Sequence, residues 1–176
     1  MNKLTRRATL AGLIASFGLA ANPAFSLNTA QARALIDDVV ARITSVINSG
    51  QSESAMYRDF EALFNRYADV PTISRSALGP PARSASNQQL NQFSDAFAGY
   101  LARKYGKQFR DFIGGEITVE NARQVKSFQE VQAVAKLRGQ APFAVTFMVS
   151  DRSGSNLFFD LLIEGISLLK SERAEI

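Results

Sequence analysis

The spacing of apolar residues changes once along the chain, and this change restricts the fold more than any other feature. Up to about residue 112, apolar side chains recur at intervals of three and four, the period of an α-helix. From Ile117 onward they alternate with polar residues, the period of a β-strand. Helices followed by strands predict an α+β fold, with N-terminal helices packed on a twisted C-terminal antiparallel sheet.

The helical half contains four predicted helices, over residues 29–49, 53–66, 72–77 and 87–112, and a short fifth helix follows the strands over 167–174. Asn28 with Gln31, and Ser86 with Gln89, have the spacing of a capping box at a helix start. The longest helix has apolar residues at steps of 3, 4, 4, 4, 4 and 3: Leu90, Phe93, Phe97, Leu101, Tyr105, Phe109 and Phe112. This stripe predicts one buried face.

The strand half contains four runs of alternating residues, which begin near Ile117, Val131, Phe143 and Leu157. Residues 151–155 separate the last two runs and are typical of a hairpin turn. On the last strand the alternation assigns one set of residues to the inner face: Leu157, Phe159, Leu161 and Ile163. Phe158 and Leu162 make its other face apolar as well.

Residues 1–26 are predicted to be a signal peptide rather than part of the fold. They open with three basic residues, Lys3, Arg6 and Arg7, and continue with an uncharged apolar run of twelve residues, Leu10–Ala21. That run is shorter than the roughly twenty residues of a transmembrane helix. Small residues at Ala24 and Ser26 predict cleavage after Ser26, export, and one mature domain over 27–176. An uncleaved anchor is the alternative, and the paired arginines fit either a twin-arginine or a Sec signal.

Two missing residue types exclude much chemistry. The chain has no cysteine and no histidine, so disulfides, thiolate metal sites and the Ser-His-Asp triad are excluded. Without the three basic residues of the signal segment, 17 basic and 16 acidic residues remain, a net charge of +1. Nucleic-acid binding therefore loses its electrostatic support, and we predict no nucleic-acid partner, no metal and no cofactor.

Three polar patterns remain as candidates for chemistry. Asp151 and Gly154 lie in a segment that lacks the further ligands of a calcium loop, so a plain turn is favoured. Asp160 and Glu164 could act as acid and base, but four residues on a strand span roughly 13 Å, which favours a solvated or partner-facing edge. A basic cluster on the longest helix is either a solvated face or a site for lipid phosphate or an acidic partner: Arg103, Lys104, Lys107 and Arg110.

Large apolar side chains are abundant in the mature chain, where eleven phenylalanines remain after Phe17 and Phe25 are removed. They could form an ordinary core. They could also line an apolar cavity, which would suit a lipid or acyl ligand and needs no catalytic group.

Several motifs of this chain resemble a known family. In order they are Phe60-x-x-Leu63, Val70-Pro71-x-Ile73, Leu78-Gly79, Ala85-Ser86, the stripe from Phe93 to Tyr105, and residues 159–169 with Arg173 beyond. The segment Asp160-x-x-x-Glu164-Gly165-Ile166-Ser167 is the most specific. Together they resemble the MlaC family of periplasmic phospholipid-binding proteins, also called the toluene-tolerance family. The chain departs from it at Asn156 and Phe159, where the family usually has Trp and Tyr.

The resemblance implies a monomeric periplasmic carrier of phospholipid that is not an enzyme. Its partners would be an outer-membrane lipoprotein complex and an inner-membrane ABC transporter with an MCE-domain subunit, and its role would be to maintain outer-membrane lipid asymmetry. The cavity enclosed by the helices and sheet would hold the acyl tails. The expected lipid-binding residues are Phe60, Leu63, Phe64, Ile73, Leu78, Phe93, Phe97, Leu101, Tyr105, Phe109, Val145, Phe147, Val149, Phe159, Leu161 and Ile163.

Two other functions remain open at this stage. The first is an enzyme on a cone-shaped α+β fold similar to nuclear-transport-factor-2-like isomerases, with Tyr105 and Asp160 as the candidate reacting groups. The second is a periplasmic interaction module whose core is filled.

Overall fold

The computed structural model describes residues 26–109 and 112–176, without the side chain of Phe109. The predicted signal segment up to Phe25 and the predicted cluster member Arg110 lie outside the described residues. The elements are α1 Thr29–Ile47, α2 Glu53–Tyr67, α3 Val70–Leu78, a 3₁₀ turn Pro80–Arg83, α4 Asn87–Phe109, β1 Glu116–Val125, β2 Phe128–Lys136, β3 Phe143–Ser150, β4 Leu157–Ile163, β5 Ile166–Ser167 and α5 Leu168–Glu175. The predicted α+β fold is confirmed.

Both predicted capping boxes start their helices. The Asn28 carboxamide oxygen accepts the backbone N–H of Gln31 at 2.9 Å, and Gln31 Oε1 accepts the N–H of Asn28 at 3.0 Å. Ser86 and Gln89 make the same reciprocal pair at 3.2 and 2.8 Å. Because these pairs satisfy backbone donors that a helix start leaves free, the starts of α1 and α4 are set by local sequence.

The five strands form one antiparallel meander in the order β1-β2-β3-β4-β5. Between β3 and β4 the register shifts, so that Met148 faces Asp160 while Val149 faces Phe158. Phe159 is thus the extra residue of a β-bulge, which reverses the alternation along β4. The predicted alternation is therefore wrong at the start of β4, since Phe158 rather than Leu157 shares the inner face with Leu161.

Helix α1 lies directly on β1 and β2. Ala32 and Ile36 of α1 and Val131 of β2 have no exposed surface, and Ala133 is 2% exposed. Two alanines in this interface let the helix approach the sheet closely, and the space between them is filled. This is the main hydrophobic core of the molecule.

Helix α4 has a different setting, because it packs mainly on α2 and α3 rather than on the sheet. Gly106 allows close packing on one side: a Cβ atom there would lie 2.6 Å from the Tyr57 ring of α2. The opposite side of α4, with Phe97 and Leu101, faces the sheet. None of the helices in the described part of the chain has the length and hydropathy of a membrane-spanning segment.

Candidate functional site

A cavity of about 190 Å³ lies between α4 and the inner face of β3 and β4. Its wall has 24 residues, of which 20 are apolar. For scale, an engineered apolar cavity of about 150 Å³ stays dry and binds benzene. A void of this size and composition can hold part of an acyl chain without any polar group.

Aromatic rings form much of this wall. Phe158 lies between Phe64 of α2 and Phe147 of β3, with ring centroids 6.1 and 5.9 Å apart in edge-to-face geometry. Phe112 and Phe143 meet in the same way at 6.1 Å, where α4 has ended and β3 begins. Rigid rings that pack on each other hold the walls apart, because they cannot collapse into the gap without losing these contacts.

Most of the predicted lipid-binding residues lie on the cavity wall: Phe60, Leu63, Phe64, Ile73, Phe97, Leu101, Tyr105, Val145, Phe147, Phe159, Leu161 and Ile163. Three others lie elsewhere. Phe93 stacks on Phe97 in the α3–α4 cluster, Val149 is fully buried in the main core, and Leu78 is half-buried at the end of α3. The side chain of Phe109 lies outside the description. Contact of any of these residues with a lipid stays a prediction.

Other wall residues were missed by sequence reasoning. Phe158 was assigned to the outer face because its bulge leaves no mark in the alternation. Val39 and Ile43 belong to the apolar stripe of α1, so a signal was present, but it did not distinguish the cavity from the filled core. Leu168, Leu169 and Glu172 come from α5, whose short sequence resembles an exposed helix.

Asp160 and Glu164, the candidate acid–base pair, accept hydrogen bonds from separate parts of the backbone. Asp160 accepts the N–H groups of Leu161 and Leu169 at 2.8 and 3.2 Å and the hydroxyl of Ser167 at 2.6 Å. Glu164 accepts the backbone N–H of Ala144. The predicted solvated edge is wrong for Asp160, which lies on the cavity wall and fixes the start of α5.

A second polar group fixes the end of α5 to α4. Glu172 is 2% exposed and accepts Lys104 Nζ at 2.8 Å and the Tyr105 hydroxyl, while Lys104 also lies 2.5 Å from Glu175. Burial lowers the pKa of Lys104, but its hydrogen bonds to Glu172 and Glu175 outweigh this and raise the pKa above its usual range. Burial, and then the bond to Glu172, raise the pKa of Tyr105. We call Lys104, Tyr105, Glu172 and Glu175 the α5 clamp.

The α5 clamp corrects one prediction about the basic cluster. Lys104 is paired and largely buried rather than solvated, with a side chain only 25% exposed. Arg103 and Lys107 are exposed on α4, as a solvated face requires. Within residues 26–109 and 112–176, no cluster of acidic side chains could hold a metal ion.

Comparison with known proteins identifies a family and a similar solved structure. No curated protein matches the chain. Among solved structures, the fold is similar to the phospholipid-binding protein from Ralstonia solanacearum in complex with a phospholipid, with a TM-score of 0.71 and 18% sequence identity over 82% of this chain and 84% of that one. The family model described as MlaC protein matches residues 33–176. Since that match spans most of the sequence, the chain belongs to the MlaC family.

Proposed function

We propose that this protein is a periplasmic phospholipid carrier that takes up acyl tails in the cavity between α4 and the sheet. The observation that supports this most is the wall itself, with its 20 apolar residues around about 190 Å³. The similar fold from Ralstonia solanacearum was solved with a phospholipid, which supports the same ligand class.

The free energy of burying acyl tails favours a protein that releases its lipid again over one that retains it. Two acyl tails with about 30 methylenes gain ~24 kcal/mol gross when they leave water, at ~0.8 kcal/mol each. A bilayer offers the same burial. The free energy of transfer between carrier and membrane is therefore a small difference, so the lipid can move in either direction according to the partner that is present.

The volume of the cavity implies that it must widen to hold a whole phospholipid. A cavity of about 190 Å³ exceeds a benzene site but is small for two complete tails. We propose that the wall moves apart when lipid enters. Helix α5 is the suited element, because Leu168 and Leu169 line the cavity while polar contacts help to fix both of its ends.

The polar wall residues fit a carrier better than an enzyme. Tyr105 and Asp160 would have to react with a substrate in the enzyme hypothesis. Instead each is bonded to a part of α5, Tyr105 to Glu172 and Asp160 to Ser167 and Leu169. Tyr105 and Asp160 thus hold the cavity wall in place, a role that a binding protein requires and that involves no chemical step.

We further propose the partners that the family implies: an outer-membrane lipoprotein complex and an inner-membrane ABC transporter with an MCE-domain subunit. In this proposal the protein acts as a monomer in the periplasm and delivers lipid between them. The exposed Arg103 and Lys107 could contact a head group or an acidic docking surface. Such contacts would weaken as salt is added, because exposed charges are screened.

The test is a pair of substitutions on one strand. Phe147→Asp places a charge on the cavity wall, where an acyl tail cannot solvate it. Thr146→Asp adds the same charge one residue away, on the other face of β3. We expect mass spectrometry of protein purified from the periplasm to find phospholipid with the wild type and T146D but not with F147D.

Folding must be controlled in that experiment, because a buried charge can also unfold the protein. Circular dichroism should show native helix and strand content for both variants. A folded F147D that retains its lipid, or a wild type that carries none, would contradict the proposal. Asp160→Asn should keep the lipid, because that carboxylate holds α5 rather than the ligand.

A further inference from the structure

The first residues of the described chain are held by both apolar packing and hydrogen bonds. The side chain of Leu27 is 6% exposed and belongs to the main core. Its carbonyl accepts Gln129 Nε2 at 3.1 Å, and the same Gln129 accepts the hydroxyl of Thr29 at 3.0 Å. Gln129 itself is 3% exposed. Leu27 is thus firmly fixed to the fold, while Ser26 beside it is exposed.

The backbone nitrogen of Leu27 has a charged partner. Its N–H lies 2.8 Å from Asp151 Oδ2, across 124 positions of sequence. Asp151 is partly buried in the turn between β3 and β4. Within the described part of the chain, no lysine or arginine forms an ion pair with this carboxylate. The Asp151 carboxylate therefore accepts a hydrogen bond from a neutral peptide N–H, although it would bind a positively charged group more strongly.

We propose that Ser26–Leu27 is the bond cut during export, and that Asp151 is the acceptor for the amino terminus this cut creates. Hydrolysis adds one water: the carboxylate leaves with Ser26, and the nitrogen of Leu27 becomes an ammonium group. That nitrogen already lies at hydrogen-bond distance from Asp151 Oδ2. Cleavage thus replaces a neutral amide donor with an ammonium group, so a hydrogen bond to the carboxylate becomes an ion pair without moving the chain.

The consequence is a link between processing and stability. Every described helix and strand follows Leu27, so cleavage removes none of the described fold. A cut at any earlier bond would leave residues that keep the Leu27 nitrogen as a neutral amide. The processed chain should therefore hold α1 against the sheet more firmly than an extended one. This inference is independent of the ligand, so it can stand or fall apart from lipid carriage.

The experiment has two arms. In the first, the full chain is expressed with export and the intact mass of the periplasmic product is measured. In the second, the chain from Leu27 is compared with a chain that retains residues 24–26, each with and without Asp151→Asn. Asp95→Asn, an exposed residue away from this site, is the matched control for loss of one negative charge.

We expect the exported product to begin at Leu27. Asp151→Asn should raise the unfolding equilibrium constant about tenfold in the chain from Leu27 but only about threefold in the extended chain, a coupling of about threefold, because only the ammonium group adds an ion-pair attraction to the carboxylate. Asp95→Asn should affect both chains equally. A product that begins at another residue, or a D151N effect that is equal in the two chains, would overturn the proposal.

Discussion

The two long amphipathic helices, α1 and α4, face the same sheet with opposite results. Helix α1 brings Ala32 and Ile36 against Val131, and nothing is left open between them. Helix α4 presents Phe97 and Leu101 toward β3 and β4, and a cavity of about 190 Å³ remains. Both helices have an apolar stripe of helical period, so the period alone does not decide whether an interface closes.

The difference comes from what lies beside each stripe. Under α1, small residues such as Ala32 and Ala133 allow close approach. Helix α4 is drawn away from the sheet, because Gly106 lets it pack tightly on Tyr57 of α2. The rings of Phe147 and Phe158 then support each other across the remaining gap. A core is filled only where a helix packs directly on the sheet. Helix α4 instead packs on α2 and α3, which leaves a gap between it and the sheet.

Truncation of a buried side chain should separate the two regions most clearly. Ile36 has no exposed surface and lies in the filled core, whereas Leu101 borders the cavity. We expect Ile36→Ala to lower the free energy of unfolding by about 3–4 kcal/mol, because it opens a new cavity. Leu101→Ala should cost about half as much, since part of its surface already faces a void. Urea denaturation of both variants measures this, and equal losses would mean that the region under α4 is as well packed as that under α1.

The α5 clamp should give the next largest effect. Lys104→Met leaves Glu172 buried without its cation, and loss of one partner of a buried pair is costly. We expect a loss of about 2 kcal/mol, less than for a fully buried pair, because Lys104 retains some exposure. Arg103→Met, on the exposed face of the same helix, is the control and should change stability little. If K104M matched R103M in denaturation, the clamp would not hold the wall.

Enlargement of a side chain should also cost more stability in the filled core than on the cavity wall. Val131 and Val145 lie on adjacent strands, the first with no exposed surface in the filled core and the second on the cavity wall. Val131→Phe should destabilise by about 1–3 kcal/mol through overpacking, while Val145→Phe should cost less than about 1 kcal/mol. Because V145F fills space that a tail would occupy, it should also lower the amount of co-purified lipid. A strongly destabilised V145F would indicate that the cavity is not free volume.

Alkaline pH should weaken the cavity side in particular. The pKa of Tyr105 and that of Lys104 are raised in the folded state. A raised pKa contributes stability that is fully present below the unfolded values near 10, and that is lost as pH rises through the folded pKa. We expect thermal stability to fall above about pH 10, and Tyr105→Phe to reduce the slope of that fall. An identical slope in Y105F would mean that the tyrosine does not contribute.

Local sequence predicted the framework well. The capping boxes at Asn28 and Ser86 set two helix starts, and the change of period near Ile117 marked the passage from helices to sheet. These features depend on contacts only a few residues apart, so the sequence carries them directly. The order of the strands followed because short connections favour an antiparallel meander.

The cavity was predicted less completely, because it depends on contacts distant in sequence. The bulge at Phe159 moved Phe158 to the inner face, and alternation alone contains no sign of an inserted residue. The pairing of Lys104 with Glu172 joins helices 68 positions apart, and each residue alone resembles an exposed charge. Whether a stripe of Phe residues encloses a void depends on where α2 and α3 hold α4, which no single segment encodes.

The central claim is that acyl tails enter the cavity under α4 and not the region under α1. A phospholipid that carries a photoreactive diazirine near the end of one acyl chain tests this directly. After illumination of the loaded protein, peptide mass spectrometry locates the adducts. The account predicts adducts within residues 97–105, 143–149 and 157–163, with T146D labelled as strongly as the wild type. Adducts confined to exposed surfaces, or to Ala32 and Ile36 in the filled core under α1, would contradict it.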